Sequence, residues 1–404
     1  MNSILANLDS DLQGPKPDLT EIVTNSGITL TYLEGEFWTS KQRDAHSLHE
    51  VSYRACFKPQ LPSYFIRRFT SAGDCVYDPF GGRGTTALES ALLGRIPCQN
   101  DVNPLSTILA KPRLNPPTLL EVEDRLKKIP QNGSVDASWD LGMFYHGDTL
   151  REIAGMREYF LQRESDGKLD SIDDWIRMVA VSRLSGHSPG FFSVYSMPPN
   201  QSVTRESQER INSKRGQTPT YRDTHSLILK KTDSLTKDLS ANHKDILNSV
   251  VNVARFYNED SRSTPHIGAE SVKLVVTSPP FLDVVNYAED NWLRSWFAGV
   301  ENEGADIAIT TPKDIGEWKL FIKETLLELR RVISDDGLIA FEVGEVRKGK
   351  VLLEQVVAEA AVEVGLNPHG VLVNIQSFTK TSNIWGVSNN VGGTNSNRIV
   401  MMSR

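Results

Sequence analysis

The chain has 404 residues, of which 39% are hydrophobic, and this is enough to bury the core of one large or two modest globular domains. Its formal net charge of −7 argues against a protein that coats nucleic acid through bulk charge, and no apolar stretch approaches the roughly 20 residues that span a bilayer. We expect a cytoplasmic protein, because the polar start lacks the features of a signal peptide, and we expect reduced cysteines without a metal site, because Cys56, Cys75 and Cys98 are odd in number and show no ligand spacing.

The first half of the chain contains the opening unit of an α/β sheet. Residues 1–46 show weak periodicity and are predicted to form an N-terminal arm. A short apolar strand is predicted at residues 75–77, and a glycine-rich turn, residues 78–86, follows it. The pattern then predicts a helix over residues 85–93 and a second strand over residues 96–100. Strand, glycine turn, helix and strand form the first unit of a doubly wound sheet.

The glycine turn indicates a ligand site. Gly82 and Gly84 lack Cβ atoms and can let backbone N–H groups approach a ligand at the start of a helix. The turn lacks the third glycine of a dinucleotide fingerprint and the Gly-Lys-Ser/Thr of a P-loop, so neither nucleotide motif is well supported. Asp101, at the tip of the next strand, can accept hydrogen bonds from two ribose hydroxyls. The alternative for Asp101 is an Asx turn that opens Asn103-Pro104.

Residues 105–249 are far longer than a usual connection between strands, so they are predicted to form an inserted domain that reads the target. Within it, residues 201–237 hold eight Lys or Arg against four Asp or Glu. A solvated, partly disordered basic stretch is the alternative to a DNA-binding surface. The candidate phosphate or base contacts are Arg205, Arg210, Lys214, Arg215, Arg222, Lys230 and Lys231.

A second polar turn follows a predicted buried strand and reads Thr277-Ser-Pro-Pro-Phe281. Two successive prolines remove two backbone N–H donors, so the carbonyls around Ser278 and Pro279 project as acceptors without neighbouring donors. Such a turn suits a substrate that bears an amino group. Pro-Pro after a strand can also be only a stop signal.

The remaining elements continue the alternation of helices and strands. The pattern predicts a helix over residues 317–333, a strand over residues 337–343 and a helix over residues 351–364. Residues 371–378 and 398–402 are predicted to supply the last strands.

The two turns together give the chain a family resemblance. Asp78-Pro-Phe-x-Gly-x-Gly-Thr-Thr86 and Thr277-Ser-Pro-Pro-Phe281 are similar to the motifs of S-adenosylmethionine-dependent amino-methyltransferases that modify DNA bases. The resemblance covers residues 47–104 and 250–404, which would form the catalytic domain on either side of the insertion. It implies an α/β class I methyltransferase (Rossmann-like) fold, with a seven-stranded sheet and a large insertion. An insertion at this point departs from the better-known orders of the family.

The resemblance also implies a set of residues that bind S-adenosylmethionine. Phe80, Gly82 and Gly84 would line its methionine part, and Asp101 would hold its ribose. Asp260 would accept its adenine amino group, with Asp148 as the rival for that role; a helix N-cap is the alternative for Asp148. The full set of predicted cofactor contacts is Lys58, Pro59, Asp78, Phe80, Gly82, Gly84, Thr85, Asp101, Asp260 and Thr277.

The activity that the resemblance implies is methyl transfer to an exocyclic amine of a base flipped out of duplex DNA. The catalytic residues would be Ser278, Pro279, Pro280 and Phe281, with acceptors on Ser278 and Pro279 and stacking by Phe281. Serine before Pro-Pro mostly accompanies N4-cytosine enzymes in this family, which favours cytosine N4 over adenine N6. An RNA-modifying relative and a catalytically silent nucleic-acid reader are further alternatives.

The resemblance also bears on partners and location. Double-stranded DNA would be the substrate, which would place this cytoplasmic protein at the nucleoid. The protein would either be the modification half of a restriction pair, with a cognate endonuclease as partner, or a solitary regulatory enzyme.

Overall fold

We analysed a computed structural model of the full chain. It describes residues 17–24, 26–38, 45–54, 56–136, 139–197, 201–280, 287–300, 314–344, 352–375 and 396–404.

The described residues contain one nine-stranded sheet with the order β1-β2-β8-β9-β7-β6-β3-β4-β5. Its strands are β1 (Asp18–Val23), β2 (Thr29–Gly35), β3 (Cys75–Asp78), β4 (Ile96–Asn100), β5 (Arg255–Tyr257), β6 (Val272–Thr277), β7 (Ile333–Val343), β8 (Asn367–Ile375) and β9 (Ser396–Ser403). Strands β5, β4, β3, β6 and β7 are parallel, and β9 lies antiparallel between β7 and β8. This is the predicted class I methyltransferase sheet, formed by β3 to β9.

The sheet has two strands more than the seven that we predicted. Residues 18–35 were expected in an N-terminal arm, but β1 and β2 extend the sheet beside β8. Leu30, Tyr32 and Leu33 of β2 are buried, whereas every residue of β1 is exposed. The apolar set of β2 is short and mixed with threonines, so its periodicity was too weak to indicate a strand of the sheet.

The helices follow the alternation that the sequence predicted. They are α1 (Gln60–Phe69), α2 (Thr85–Leu92), α3 (Leu105–Ala110), α4 (Leu119–Leu126), α5 (Gly147–Ser165), α6 (Ser171–Arg183), α7 (Arg205–Arg215), α8 (Thr224–Thr236), α9 (Ala241–Val250), α10 (Tyr287–Ala298), α11 (Ile315–Val332) and α12 (Leu353–Glu363). Strand β5 begins only at Arg255, because a turn follows the end of α9 at Val250. No helix in the described ranges is long and apolar enough to cross a membrane.

The core lies on both faces of the sheet. Neighbouring residues of β6 point to opposite faces, so Val275 packs with α11 and α12, and Leu274 packs with α1. A third cluster is formed by the helices of the insertion, for example by Trp175, together with Leu88 of α2 and Phe297 of α10. This third cluster therefore joins the helices of the insertion to α2 and α10.

Candidate functional site

The carboxyl ends of β3, β4 and β6 surround a cavity with an empty volume of about 920 Å³, part of which is open to solvent. From β3 the strand order runs to β4 on one side and to β6 on the other, and ligands of open α/β sheets bind at such a switch point. The lining residues that the sequence predicted are Asp78, Phe80, Gly82, Thr85, Asp101, Asp260, Ser278, Pro279 and Pro280. The glycine turn and the Pro-Pro turn, almost 200 residues apart in sequence, thus lie at one site.

The glycines of the first turn have different roles. Gly82 lines the cavity at φ +50°, and a Cβ there would have room, because its nearest neighbour would be Cys56 Sγ at 3.7 Å. Gly84 has φ +77°, and its Cβ would lie 2.4 Å from the Cβ of Ala110 in α3. Gly84 is absent from the cavity lining, and its predicted cofactor contact stays a prediction. It is glycine because α2 and α3 pack closely at this point.

Asp101 is held in place by the turns around it. The N–H of Gly82 donates to Asp101 Oδ2 at 2.8 Å, and the N–H of Asn103 donates to Asp101 Oδ1 at 2.9 Å. The second bond is that of an Asx turn, which was the alternative for this residue, and the ribose contact stays a prediction. Burial raises the pKa of Asp101 to about 6, although both hydrogen bonds oppose the rise. The cavity therefore contains a fixed carboxyl group with lone pairs available beyond its two backbone bonds.

Asp78 joins the strand that carries the glycine turn to the strand that carries the Pro-Pro turn. Its side chain is 2% exposed, and the Thr277 hydroxyl donates to its Oδ1 at 2.6 Å. Burial raises the pKa of Asp78 to about 7 against the effect of this bond and of the Phe80 N–H. Thr277 is fully buried and does not line the cavity. Its hydrogen bond is to Asp78, and its predicted contact with the cofactor stays a prediction.

The Pro-Pro turn is anchored by neighbouring elements. Trp318 of α11 donates from Nε1 to the carbonyl of Pro280 at 3.0 Å. None of the described residues donates a hydrogen bond to the carbonyl of Pro279, which also lines the cavity. Phe281 lies outside the described residues, so its predicted stacking role stays a prediction.

The structure separates the two candidates for the adenine contact. Asp260 lines the cavity, and Arg262 donates to it from the guanidinium, with the shortest bond at 2.6 Å, so its pKa is lowered. Asp148 lies instead at the start of α5, where it forms an ion pair with Arg151. Of these two residues, Asp260 is the one at the cavity.

The segment before α1 covers the glycine turn, but not with the residues that we predicted. Tyr53, Arg54, Cys56 and Phe57 line the cavity, whereas Lys58 and Pro59 do not. Pro59 lines a separate cavity beside α1. The cofactor contacts predicted at these two positions stay predictions, while the lining residues of this segment lie earlier in the chain.

The side chain of Arg83 attaches the segment before α1 to the glycine turn. Its guanidinium donates to the carbonyl of Val51 at 2.9 Å and to the Thr85 hydroxyl at 3.2 Å. The buried Arg113 donates to the Arg83 carbonyl and, at 3.2 Å, to the Leu48 carbonyl, and burial lowers its pKa to about 9. The large side chain at position 83 therefore points away from the ligand space and fixes the covering segment.

Helix α10, which follows the Pro-Pro turn in the chain, contacts both the cavity wall and the insertion. Arg54 donates from Nη1 to both carboxylate oxygens of Asp290, at 2.7 and 2.9 Å. The carbonyl of Asp290 accepts from the N–H of Ser202, and Trp292 Nε1 donates to the Val203 carbonyl at 3.1 Å. One helix thus connects the insertion with the segment over the glycine turn.

Further lining residues were missed in the sequence. The missed residues that adjoin a predicted residue could have been found by extending each motif along the chain. Phe321 lies on α11, where no sequence motif indicates a ligand site. The missed lining residues are Tyr53, Arg54, Cys56, Phe57, Pro79, Gly81, Val102, Asn103, Ser261 and Phe321.

The predicted basic surface divides into two groups. Arg210, Lys214, Arg215 and Lys230 are exposed. The other three side chains are less exposed and bind within the protein: Arg222 donates to the Ser188 and Phe191 carbonyls, Lys231 pairs with Glu50, and Arg205 lies over the rings of Trp139 and Trp292. Arg215, although exposed, also lies over the ring of Tyr195, 3.8 Å from its centre. Charge pattern alone could not distinguish these two groups.

Parts of the chain are similar in sequence to known proteins. Residues 28–97 match the family model of N6 and N4 methyltransferases described as DNA methylase. An 89-residue segment is 32% identical to the Type II methyltransferase M.MjaII of Methanocaldococcus jannaschii, and it covers 22% of this chain and 16% of that protein. The chain therefore spans only a small part of the length of this relative.

Two solved structures are similar at low identity. One is a TehB-like SAM-dependent methyltransferase from Corynebacterium glutamicum, with 8% identity over 85% of this chain and 86% of that chain and a TM-score of 0.30. The other is the rRNA methyltransferase aviRa from Streptomyces viridochromogenes, with 12% identity over 90% of this chain and 92% of that chain and a TM-score of 0.35.

Proposed function

We propose that this protein is a DNA methyltransferase that transfers a methyl group from S-adenosylmethionine to the N4 amine of a cytosine flipped out of the duplex. The observation that carries the proposal is the convergence of the glycine turn, Asp101 and the turn 278–280 on one cavity. The match of residues 28–97 to the DNA methylase family supports it from the sequence side.

The residues of the cavity fit the proposed cofactor. Asp101 would accept hydrogen bonds from the ribose hydroxyls, since its two backbone bonds leave lone pairs available. Gly82 would present backbone beside the methionine part, and the open space next to its Cα suits close approach. Asp260 and Ser261 would lie at the adenine. The cofactor, when bound, supplies a methyl group already activated by the sulfonium charge.

The Pro-Pro turn would prepare the acceptor. The lone pair of an exocyclic amine is delocalised into the base ring, so the amine is a poor nucleophile. Carbonyl acceptors on Ser278 and Pro279 would hydrogen-bond its protons, draw the nitrogen toward tetrahedral geometry and stabilise the charge that develops during attack. Phe281 would stack on the flipped base. In this reaction the protein mainly positions the amine in line with the methyl group and excludes water.

The choice of cytosine N4 rests on Ser278, which resembles the N4-cytosine enzymes of the family. Adenine N6 is the second candidate, because the matched family model spans both classes. The chemistry of the site suits either amine, since a carbonyl acceptor does not distinguish between them.

The insertion would read the target sequence. Its exposed cations, Arg210, Lys214, Arg215 and Lys230, would contact phosphates, while its neutral surfaces would face base edges. A cognate endonuclease would be a partner if the enzyme protects DNA from restriction, and the enzyme would act in the cytoplasm at the nucleoid.

The test is incubation of the protein with S-adenosylmethionine labelled on its methyl group and either unmethylated duplex DNA or RNA. We expect label in DNA and N4-methylcytosine after digestion to nucleosides. Label confined to RNA would exclude the proposed substrate, and N6-methyladenine would exclude the proposed base. A protein that binds the cofactor without any transfer would be a silent reader.

Two variants assign the roles of the residues in this assay. Pro279→Ala should retain cofactor affinity and lose turnover, because it changes the acceptor turn only. Asp101→Ala should weaken cofactor binding, measured by calorimetry without DNA. The opposite pattern would show that the two halves of the cavity had been assigned to the wrong substrates.

A further inference from the structure

Strand β7 carries a buried carboxyl group directly behind the Pro-Pro turn. Thr277 of β6 is paired with Phe341 of β7 in parallel register, so the next position of each strand places Glu342 beside Ser278. Glu342 is 6% exposed, and it does not line the cavity. It therefore lies on the protein side of the turn, away from the substrate.

The contacts of Glu342 are few. Asn397 of β9 donates from Nδ2 to Glu342 Oε1 at 3.0 Å. Burial raises the pKa of Glu342, while the Ser278 hydroxyl and Asn397 oppose the rise. The Ser278 Oγ is shielded from solvent, and no described residue forms a hydrogen bond with it. The register of β6 and β7 places the side chain of Ser278 beside that of Glu342.

The charged groups on the neighbouring elements have other partners. Arg398 of β9 pairs with Glu354 at 2.9 Å. Asp78 of β3 is bonded to Thr277, and Arg68 of α1 lies over the ring of Tyr64. Within the described part of the chain, no cation pairs with Glu342. A buried carboxyl without a cation is costly, and in a strand an apolar residue would have avoided this cost.

The shielding of the Ser278 Oγ also limits what Ser278 offers to a substrate. Ser278 lines the cavity, but with atoms other than this oxygen. Its main-chain carbonyl can be the acceptor, whereas the hydroxyl faces the carboxyl behind it. The Ser278 hydroxyl has no partner among the described residues, and the Glu342 carboxyl accepts from Asn397 with one oxygen. A bond from this hydroxyl to the carboxylate would satisfy both groups.

We propose that Glu342 is a positioning residue, which binds the Ser278 hydroxyl on the protein side of the turn and so directs the carbonyls of Ser278 and Pro279 into the cavity. This inference rests on the proposed function, because it assigns the acceptors for the amine to the main chain. Glu342 itself touches no substrate in this arrangement and acts only through Ser278.

A double-mutant cycle of Glu342→Gln and Ser278→Ala tests the inference in the full-length protein, with single-turnover methylation of duplex DNA as the assay. Each variant should lower the rate by about tenfold or more, and the double variant should be no slower than the slower single variant, because both remove one contact. The KM for S-adenosylmethionine should stay unchanged. Multiplicative losses, or wild-type turnover in Glu342→Gln, would overturn the inference.

The pH profile separates a positioning role from a structural one. The wild-type rate should rise as pH increases and Glu342 ionises at its raised pKa, and this acid limb should disappear in both single variants. Glu354→Gln is the matched control, because Glu354 of α12 is also buried but pairs with Arg398 of β9. It should retain the acid limb, and loss of the limb in this control would contradict the assignment.

A measurement without substrate keeps the inference distinct from the proposed function. The raised pKa means that folding favours protonated Glu342, so its contribution to stability is present below the unfolded pKa and is lost as pH rises. The Tm of Glu342→Gln relative to wild type should therefore increase with pH. If the wild-type protein methylates no DNA, the proposed function fails, but the dependence of Tm on pH still tests the contact between Glu342 and Ser278. Ser278→Ala should shift this dependence to higher pH. An unshifted dependence would overturn the contact.

Discussion

Replacing Thr277 by valine would test whether one hydroxyl supports a buried charge between the two halves of the cavity. Valine has nearly the shape of threonine and suits a strand, so the change mainly removes the donor to Asp78 Oδ1 at 2.6 Å. Thr277 is fully buried and Asp78 is 2% exposed, so water cannot easily replace that donor.

The magnitude depends on pH. A hydrogen bond to a charged carboxylate contributes about 1.5–3 kcal/mol, and a neutral one about 0.5–1.5 kcal/mol. Burial raises the pKa of Asp78 to about 7, above its unfolded value, so the stability due to this group is present at low pH and falls as pH rises through about 7. The valine variant should raise that pKa further. Its cost in unfolding free energy should be about 1 kcal/mol near pH 5.5 and about 2 kcal/mol or more near pH 8.5.

Urea unfolding at these two pH values, followed by tryptophan fluorescence, measures the difference. Thr277→Ser keeps the hydroxyl, so its cost should not depend on pH. In an Asp78→Asn background, the valine change should cost the same at both pH values, because no carboxyl remains to ionise. A valine cost that is equal at both pH values with Asp78 intact, or larger at pH 5.5, would refute the reasoning.

Four further changes have different expected outcomes. Asp101→Asn should weaken cofactor binding in calorimetry and remove its increase above pH about 6, where wild-type Asp101 ionises; an unchanged pH profile would contradict the ribose role. Gly84→Ala should lower the Tm strongly, because its Cβ would lie 2.4 Å from that of Ala110 at a positive φ, and a normal Tm would show that α3 can move away. Lys214→Gln should reduce the slope of DNA affinity against salt concentration by about one, whereas Arg222→Gln should lower the Tm instead; equal effects on the slope would contradict their different partners.

The sequence predicted the sheet, and it predicted site residues at strand ends that are marked by a distinctive turn. A glycine turn or a Pro-Pro pair marks the end of a buried apolar strand clearly, so Asp101 and Ser278 could be placed at strand ends from residue order alone. The cavity that unites them follows from the parallel order of β4, β3 and β6.

Long-range packing could not be predicted from the same patterns. The close approach of Ala110 that requires Gly84, and the contact of Phe321 with the cavity, depend on helices far away in the sequence. Arg222 has the composition of a DNA contact, but its partners are carbonyls of a loop more than 30 residues earlier. Strand β2 carried too few apolar positions to indicate that it joins β8.

Helix α10 contacts both the cavity wall and the insertion, so it can couple binding at one to binding at the other. Its Asp290 binds Arg54 at the cavity wall through the side chain and Ser202 of the insertion through the carbonyl. If duplex DNA on the insertion changes the position of this helix, the affinity of the cavity for its ligand must change as well. Linkage then requires reciprocity: the factor by which DNA alters cofactor affinity equals the factor by which the cofactor alters DNA affinity.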